Sequence, residues 1–327
     1  MPSPSSSGLA RHNWTGKDGM NGTVIRFDKV TKRFGDLVAV DDLSFDVAAG
    51  GVFGFLGGNG AGKTTSLRMM LDILVPSSGR IEVLGTQPSR ESAADIGFLP
   101  EERGLYQRMS VLDTIVYFGR LKRMEAGPAR KAAMELLERL ELADRAKSPV
   151  SKLSKGLSQK VQVATALVNT PRLLLLDEPF AGLDPVNQGI LESLVMEAAR
   201  RGATIVFSTH VMQHAERLCD QLLLLKRGRK VFEGTLEESR QALPSRLTLT
   251  SHSDPSGLPG VARASAEKPS AQGWTSYNVE LDHGVEPGAL LEHCTTNGFP
   301  LREFNVRTPT LHEVFIHLVG TDQEIAR

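Results

Sequence analysis

Several common features are scarce in this chain, and each scarcity excludes something. Its 327 residues hold two cysteines, Cys219 and Cys294, far apart in sequence. That excludes a disulfide framework and fits buried thiols in a reducing compartment. Apolar runs are short. The longest leucine stretches, Leu173–Leu176 and Leu222–Leu225, fall far below the ~20 residues a membrane-spanning helix needs. The N-terminus lacks the apolar core of a signal peptide. Neither sign of charge is in excess, with 38 basic against 38 acidic residues. Nothing therefore marks a general polyanion binder, and no nucleic-acid partner is expected. These absences predict a soluble cytoplasmic chain, unless a partner holds it at a membrane.

What is present is a sizeable apolar fraction, 40%, and a length that suggests about two domains at ~150 residues each. The stretch that organises the rest is Gly57-Gly58-Asn59-Gly60-Ala61-Gly62-Lys63-Thr64. An apolar run, Val52–Leu56, precedes it, and a helix-like run from Thr65 to Leu74 follows. Strand, glycine-rich loop and helix form the context of a phosphate-binding loop. The glycines let backbone N–H groups converge on a phosphate, and the helix adds the positive end of its dipole. Lys63 is placed to reach β- and γ-phosphates, and the Thr64 hydroxyl suits Mg²⁺.

Along the chain, residues 1–22 are rich in Ser, Pro, Gly and Asn and read as a disordered leader. Met20, just before the first strand-like run, is a candidate translation start. Residues 23–56 alternate in short strand-like runs, with Phe34 at a strand-to-turn position where a ring could stack on a base. Ile96–Leu99 is a further strand, leading to Pro100-Glu101-Glu102. From Val111 to Leu142 the period is helical, with an expected break at Ala126–Pro128, and a further helix is expected from Ser158 to Val168. Arg172–Leu176 is a buried-strand pattern that ends in Asp177-Glu178. A helix over 185–201 leads to a second buried strand, Thr204–Ser208, with His210 just beyond it. Such alternation predicts a mainly parallel sheet covered on both faces, with ligands at the strands' carboxyl ends. The loop, Asp177-Glu178 and His210 all fall at such ends. Asp177 is then suited to Mg²⁺ and Glu178 to polarising an attacking water.

Two other clusters have plainer readings. His210 and His214 stand four apart but lack a third metal ligand, so zinc is not expected. His210 reads as a phosphate sensor and His214 as a solvated helix residue. Lys226-Arg227-Gly228-Arg229-Lys230 reads as a solvated hairpin turn. Beyond about residue 240 the composition shifts, residues 250–273 being rich in Ser, Pro, Gly and Ala. Strand-like Arg246–Thr250, Ser276–Leu281 and Glu303–Arg307, with helical 287–297 and 309–319, predict a small α+β domain over 240–327.

Taken together, residues 23–240 resemble the ATP-binding subunits of ABC transporters. Gly57–Thr64 matches their Walker A and Leu173–Glu178 their Walker B with its catalytic glutamate. Ala181-Gly182-Leu183-Asp184 is similar to their D-loop and Ser208-Thr209-His210 to their switch histidine. Phe34 falls where the family places its adenine-stacking aromatic. Leu153-Ser154-Lys155-Gly156-Leu157 stands where Leu-Ser-Gly-Gly-Gln belongs, and Glu101 where the Q-loop glutamine belongs. The C-terminal region resembles the accessory domain of sodium- and drug-efflux exporter subunits, as in Thr308–Phe315.

The resemblance implies a P-loop NTPase α/β core over 23–239: a mixed, mainly parallel sheet, N-terminal antiparallel strands and a helical insertion at about 105–165. It implies catalysis by Glu178, His210 and Lys63. It assigns ATP to Phe34, Gly57–Thr64, Thr65, Glu101, Ser154, Gly156 and Asp184, and Mg²⁺ to Thr64, Asp177 and Glu101. Two chains would pair head to tail, ATP lying between one chain's loop and the other's Ser154–Gly156. The chain carries a single loop and a single signature, so paired composite sites need a second copy or a homologous subunit. Transport needs a separate integral-membrane permease, which would hold the chain peripherally on the inner face of the cell membrane. There are departures: Gly58 replaces the usual proline, and Lys155 and Leu157 replace Gly and Gln. The alternative is a non-transport ABC ATPase acting on ribosomes or DNA, but such proteins usually carry two cassettes or a long coiled-coil insertion, and this chain has neither. Intact Lys63, Asp177, Glu178 and His210 argue against a binding module with degenerate catalysis.

Overall fold

The computed structural model describes residues 22–102, 104–267 and 273–320. The expected leader up to residue 21, with Met20, lies outside the described residues, as does Arg103.

In chain order, β1 (Thr23–Phe34) and β2 (Leu37–Ala48) form a hairpin, and β3 (Val52–Gly57) leads through the glycine loop into α1 (Lys63–Met70). Next come β4 (Ser78–Val83) and β5 (Ile96–Leu99), then the helical insertion of α2 (Val111–Leu121), α3 (Ala126–Arg139) and α4 (Lys155–Leu167). Then follow β6 (Leu173–Asp177), α5 (Pro185–Arg200), β7 (Thr204–Thr209), α6 (Met212–Leu218), β8 (Gln221–Lys226), β9 (Arg229–Thr235) and α7 (Leu236–Arg240). The remainder is β10 (Arg246–Ser251), β11 (Val261–Ala266), β12 (Thr275–Leu281), α8 (Pro287–Thr296), β13 (Leu301–Arg307) and α9 (Leu311–Val319).

The central sheet has the order β5-β6-β7-β3-β8-β9 and is parallel except at β9. A separate antiparallel sheet, β2-β1-β4, lies over one face. The central strands alternate strictly between two cores, as a period of two requires. Phe53, Phe55, Leu173, Leu175, Val206, Leu223 and Leu225 join the core beneath the antiparallel sheet and α1. Val52, Leu56, Leu174, Leu176, Ile205, Phe207, Leu222 and Leu224 join the core under the helical insertion. Strands β3, β6 and β7 are buried along their whole length. This is why they read as unbroken apolar runs.

The structure corrects four expectations. The break in the insertion lies at residues 122–125, and Ala126-Gly127-Pro128 is instead the first turn of α3, where proline is tolerated. Helix α4 starts at Lys155 rather than Ser158, because the Ser154 hydroxyl caps it by accepting from Leu157 N. Within the Ser- and Ala-rich stretch lies a strand, β11. It is an outer strand of the four-stranded antiparallel sheet β11-β12-β10-β13 and mostly exposed, so it needs no apolar pattern. Finally, the C-terminal region divides its packing. Its sheet and α8 enclose a small core of Leu247, Leu249, Val279, Leu281, Leu290 and Cys294. Helix α9 instead buries Leu311, Val314, Phe315 and Val319 in the core under the helical insertion.

Candidate functional site

The parallel register brings the chemistry together. Leu56 pairs with Thr209 and Asp177 with Ser208, so β3, β6 and β7 deliver their C-terminal residues to one edge. Beyond β3, the loop turns through Gly60 and Gly62, both in the left-handed region at φ 74° and 99°. At Gly62 a Cβ would lie 2.6 Å from the Ala39 carbonyl oxygen, so the close approach of β2 to the loop requires glycine. Gly62 provides no side-chain cap for α1, leaving the first-turn N–H groups of Lys63, Thr64 and Thr65 suited to an anion. Gly228 N donates to Ala61 O at 3.1 Å and Gly228 O accepts from Asp41 N at 3.0 Å. The basic turn read as merely solvated thus braces the loop.

Lys63 is buried, and its amine donates to Gly57 O at 2.7 Å and Gly58 O at 3.1 Å. Its Nζ lies 3.9 Å from Glu178 Oε1. Burial lowers its pKa, while the carboxylates of Glu178, Asp177 and Glu101 act to raise it. The last of these places Glu101, although exposed, within the electrostatic reach of the loop.

Asp177 is 2% exposed and accepts from the Ser208 hydroxyl. Glu178 has φ 47°, a strained conformation for a non-glycine residue. Its N–H donates to both the carbonyl and the hydroxyl of Ser208, at 3.2 Å each. Its side chain is held at both oxygens: Oε2 accepts from Thr209 Oγ1 at 3.2 Å, and Oε1 lies 2.7 Å from His210 Nδ1. Toward an ionised carboxylate, that nitrogen carries the proton and donates. A cleft of about 740 Å³ opens alongside, lined in part by Glu178, Gly182, His210 and Gln213.

The other expected ligands lie elsewhere. Phe34 ends β1 with 46% exposure, the Lys32 amine lying 5.1 Å from its ring centre. Asp184 caps α5, accepting from Val186 N and Asn187 N at 3.1 Å each. The Asn187 backbone N–H and side-chain amide hold its carboxyl below the usual range. Ser154 and Lys155 are exposed at the start of α4 and Gly156 is half-buried. Lys155 lies along the Cβ-free face of Gly182 and Gly156 faces Leu183. Among the described residues no hydrogen bond or ion pair joins this segment to residues 57–65.

Among the described residues no group of three His, Cys, Asp or Glu side chains could hold a metal by itself. The hydroxyl of Thr64 and the carboxylates of Asp177 and Glu101 are hard oxygen donors. They suit a Mg²⁺ that takes much of its shell from phosphate oxygens and water.

Sequence reasoning missed the service residues. Ser208 and Thr209 anchor the two carboxylates; no local signal marked them, because the role depends on strand register, with Ser208 opposite Asp177 and Thr209 opposite Leu56. His214 is not solvated. It is 7% exposed and stacks on Phe180, ring centres 4.3 Å apart. Burial lowers its pKa, with Arg217 acting in the same direction and Glu192 in the opposite one.

A strand-end glycine loop, a buried lysine and paired carboxylates beneath define a P-loop nucleoside-triphosphate-binding domain. Residues 40–181 match the ABC transporter family model, and residues 234–319 match the model of the C-terminal domain of DrrA1-3-like ATP-binding proteins. The chain is 40% identical to the uncharacterized ABC transporter ATP-binding protein YhaQ of Bacillus subtilis, over 92% of this chain and 100% of that one. It is 36% identical to Nod factor export ATP-binding protein I of Rhizobium meliloti, over 90% and 87% respectively. A solved ATP-binding subunit of an ABC transporter superposes with TM-score 0.64 at 28% identity, covering 67% of this chain and 93% of that one. The chain belongs to the ABC transporter ATP-binding proteins.

Proposed function

We propose that this subunit hydrolyses Mg-ATP and, paired with a second copy or a homologue, powers export through a separate membrane permease. The observation that carries this reading is the buried Glu178 carboxylate, held 2.7 Å from His210 and 3.9 Å from the Lys63 amine. A carboxylate so placed is a general base for water, with a cation ready for the developing phosphate charge. Lys63 and the loop would bind the phosphates, with Phe34 on the base. Thr64, Asp177 and Glu101 would hold Mg²⁺, and Ser154 and Gly156 of a second chain would close the site. Among the described residues no helix is long and apolar enough to cross a membrane. That agrees with a peripheral position, at the inner face of the membrane through the permease. The export direction rests on the relatives named for Nod factor export.

The test is steady-state hydrolysis of Mg-ATP by the purified chain and by Lys63→Ala. The wild type is expected to turn over and the variant to lose nucleotide binding. A wild type without phosphate release at saturating Mg-ATP defeats the reading.

A further inference from the structure

Helix α6 joins three parts of the molecule, and it is only 7 residues long. A helix so short does not hold its own orientation; the contacts at its ends and sides do that. One end is fixed by chemistry already described. His210 stands just before α6, against Glu178, and Thr209 Oγ1 accepts from Val211 N at 3.0 Å. Its middle is fixed by the His214–Phe180 stack. Arg217 holds it to Glu192 of α5, and Glu216 holds it to the C-terminal region. Glu216 Oε1 accepts from Leu311 N, the first N–H of α9, at 2.6 Å. Arg240, closing α7, lies 3.7 Å from the same oxygen and donates its Nε–H to Pro309 O at 3.1 Å.

A carboxylate at a helix N-terminus is favoured by the dipole, and an ionised acceptor strengthens the bond. The Glu216 side chain is 22% exposed, so water screens it only in part. Apolar packing alone would keep α9 on the domain, since Leu311, Val314, Phe315 and Val319 share one core with Met212, Ala215 and Leu218. Apolar burial is non-directional, whereas the Leu311 N–H to Glu216 bond is directional and joins the two helices at one point.

We infer that Glu216 is a positioning residue for hydrolysis: by clamping the start of α9 it sets α6, and through α6 the distance of His210 from Glu178. The accessory region is thereby a control on turnover rather than on nucleotide binding. This rests on the hydrolysis reading above. Displacements of about 1 Å at a catalytic contact cost up to ~100-fold in rate. A loosened clamp therefore shows in kcat, while the phosphate loop and the KM for ATP stay as they are.

The experiment compares full-length wild type, Glu216→Ala, Glu216→Gln and His210→Ala, with Glu216→Ala also made in the His210→Ala background. Glu216→Ala is expected to lower kcat on the order of tenfold, with KM within about twofold. Glu216→Gln, which keeps an oxygen for Leu311 N–H, should retain most of the wild-type kcat. If Glu216 acts through His210, its loss adds nothing once His210 is gone. Unchanged kcat in Glu216→Ala overturns the inference, as does the full tenfold factor surviving in the His210→Ala background. Should Glu216→Ala show no cooperative thermal transition, Arg240→Ala loosens the same clamp from its other side. It must then lower kcat in a His210-dependent way, and an unchanged kcat overturns the inference again. An inactive wild type removes the hydrolysis reading itself, whereas an active wild type with an inert Glu216 removes this inference alone.

Discussion

The phosphate loop and the start of α4 present opposite kinds of surface. At the phosphate loop, Lys63, Asp177 and Glu178 are at most 9% exposed, and each has hydrogen-bond partners. At the start of α4, Ser154 and Lys155 stand in solvent. Burying a charge costs several kcal/mol unless it is paired and hydrogen-bonded, and Lys63, Asp177 and Glu178 each have such partners. The first region is held by contacts within one chain. The second is an exposed helix start with the Ser154 hydroxyl as its cap. Under the head-to-tail pairing proposed above, the contrast marks where the chain's own folding stops determining the site and association begins.

The strongest way to sharpen this contrast is to remove the base and keep the cradle. Glu178→Gln is expected to lower turnover by ~10²–10⁴-fold, the usual worth of general-base assistance, while nucleotide binding persists. The ATP-bound pair should then accumulate as a dimer in size-exclusion chromatography with Mg-ATP. A variant that stays monomeric at high concentration would count against the composite site. A second, smaller effect comes from the cradle itself. Gly62→Ala forces a Cβ to 2.6 Å from Ala39 O at φ 99°. Strain of this sort costs ~1–3 kcal/mol, visible as a lower melting temperature together with weaker binding of a fluorescent ATP analogue. Wild-type affinity in a fully stable variant would mean that the loop does not need its glycine geometry.

On the other side of the contrast, Ser154→Ala removes an exposed cap, worth ~0.5–2 kcal/mol of helix stability. ATP binding at dilute concentration should not change. ATPase activity should fall, and most where protein concentration favours pairing. A loss of ATP affinity in the dilute monomer would break the contrast, since it would tie the signature to its own chain's loop.

Much of the first region was legible in sequence because its function constrains local spacing. Glycines at fixed intervals, a lysine at the helix start and carboxylates at the end of an apolar strand can each be read without tertiary knowledge. The strand alternation that sorts Leu173–Leu176 into two cores was also visible as a buried run. What was not legible depends on register between distant segments. Ser208 earns its role only by lying opposite Asp177. His214 looked like a surface residue because nothing local says that Phe180 will cover it. The division of the C-terminal region was hidden for the same reason: α9 has an ordinary amphipathic pattern, and sequence does not say which core it will enter. Edge strand β11 lacked a signal because, with one side unpaired, it needs little apolar character.

The smallest expected effect tests whether the two regions meet. Glu101 lies in the electrostatic environment of Lys63, whereas Lys155 rests on Gly182 at the exposed end of α4. Within one chain, Lys155 belongs to the solvent-facing side. In a head-to-tail pair its ammonium would approach the other chain's phosphates and could offset the added carboxylate of Glu101. An ionised carboxylate can ligate Mg²⁺ but cannot donate a hydrogen bond, so Glu101→Gln should change the Mg²⁺ dependence of turnover more than the apparent ATP affinity. Lys155→Gly alone removes a charge and adds the cost of glycine in a helix turn. That local cost cancels in a double-mutant cycle. The coupling that remains should be of the size of a solvent-screened ion pair, ~0.2–1 kcal/mol, with the double variant losing less than the sum of the two single losses. It should also shrink as salt is raised, because screening weakens it. Strict additivity at low salt, with an unchanged Mg²⁺ dependence, would leave Glu101 a bystander and keep the two regions electrostatically separate even in the closed pair.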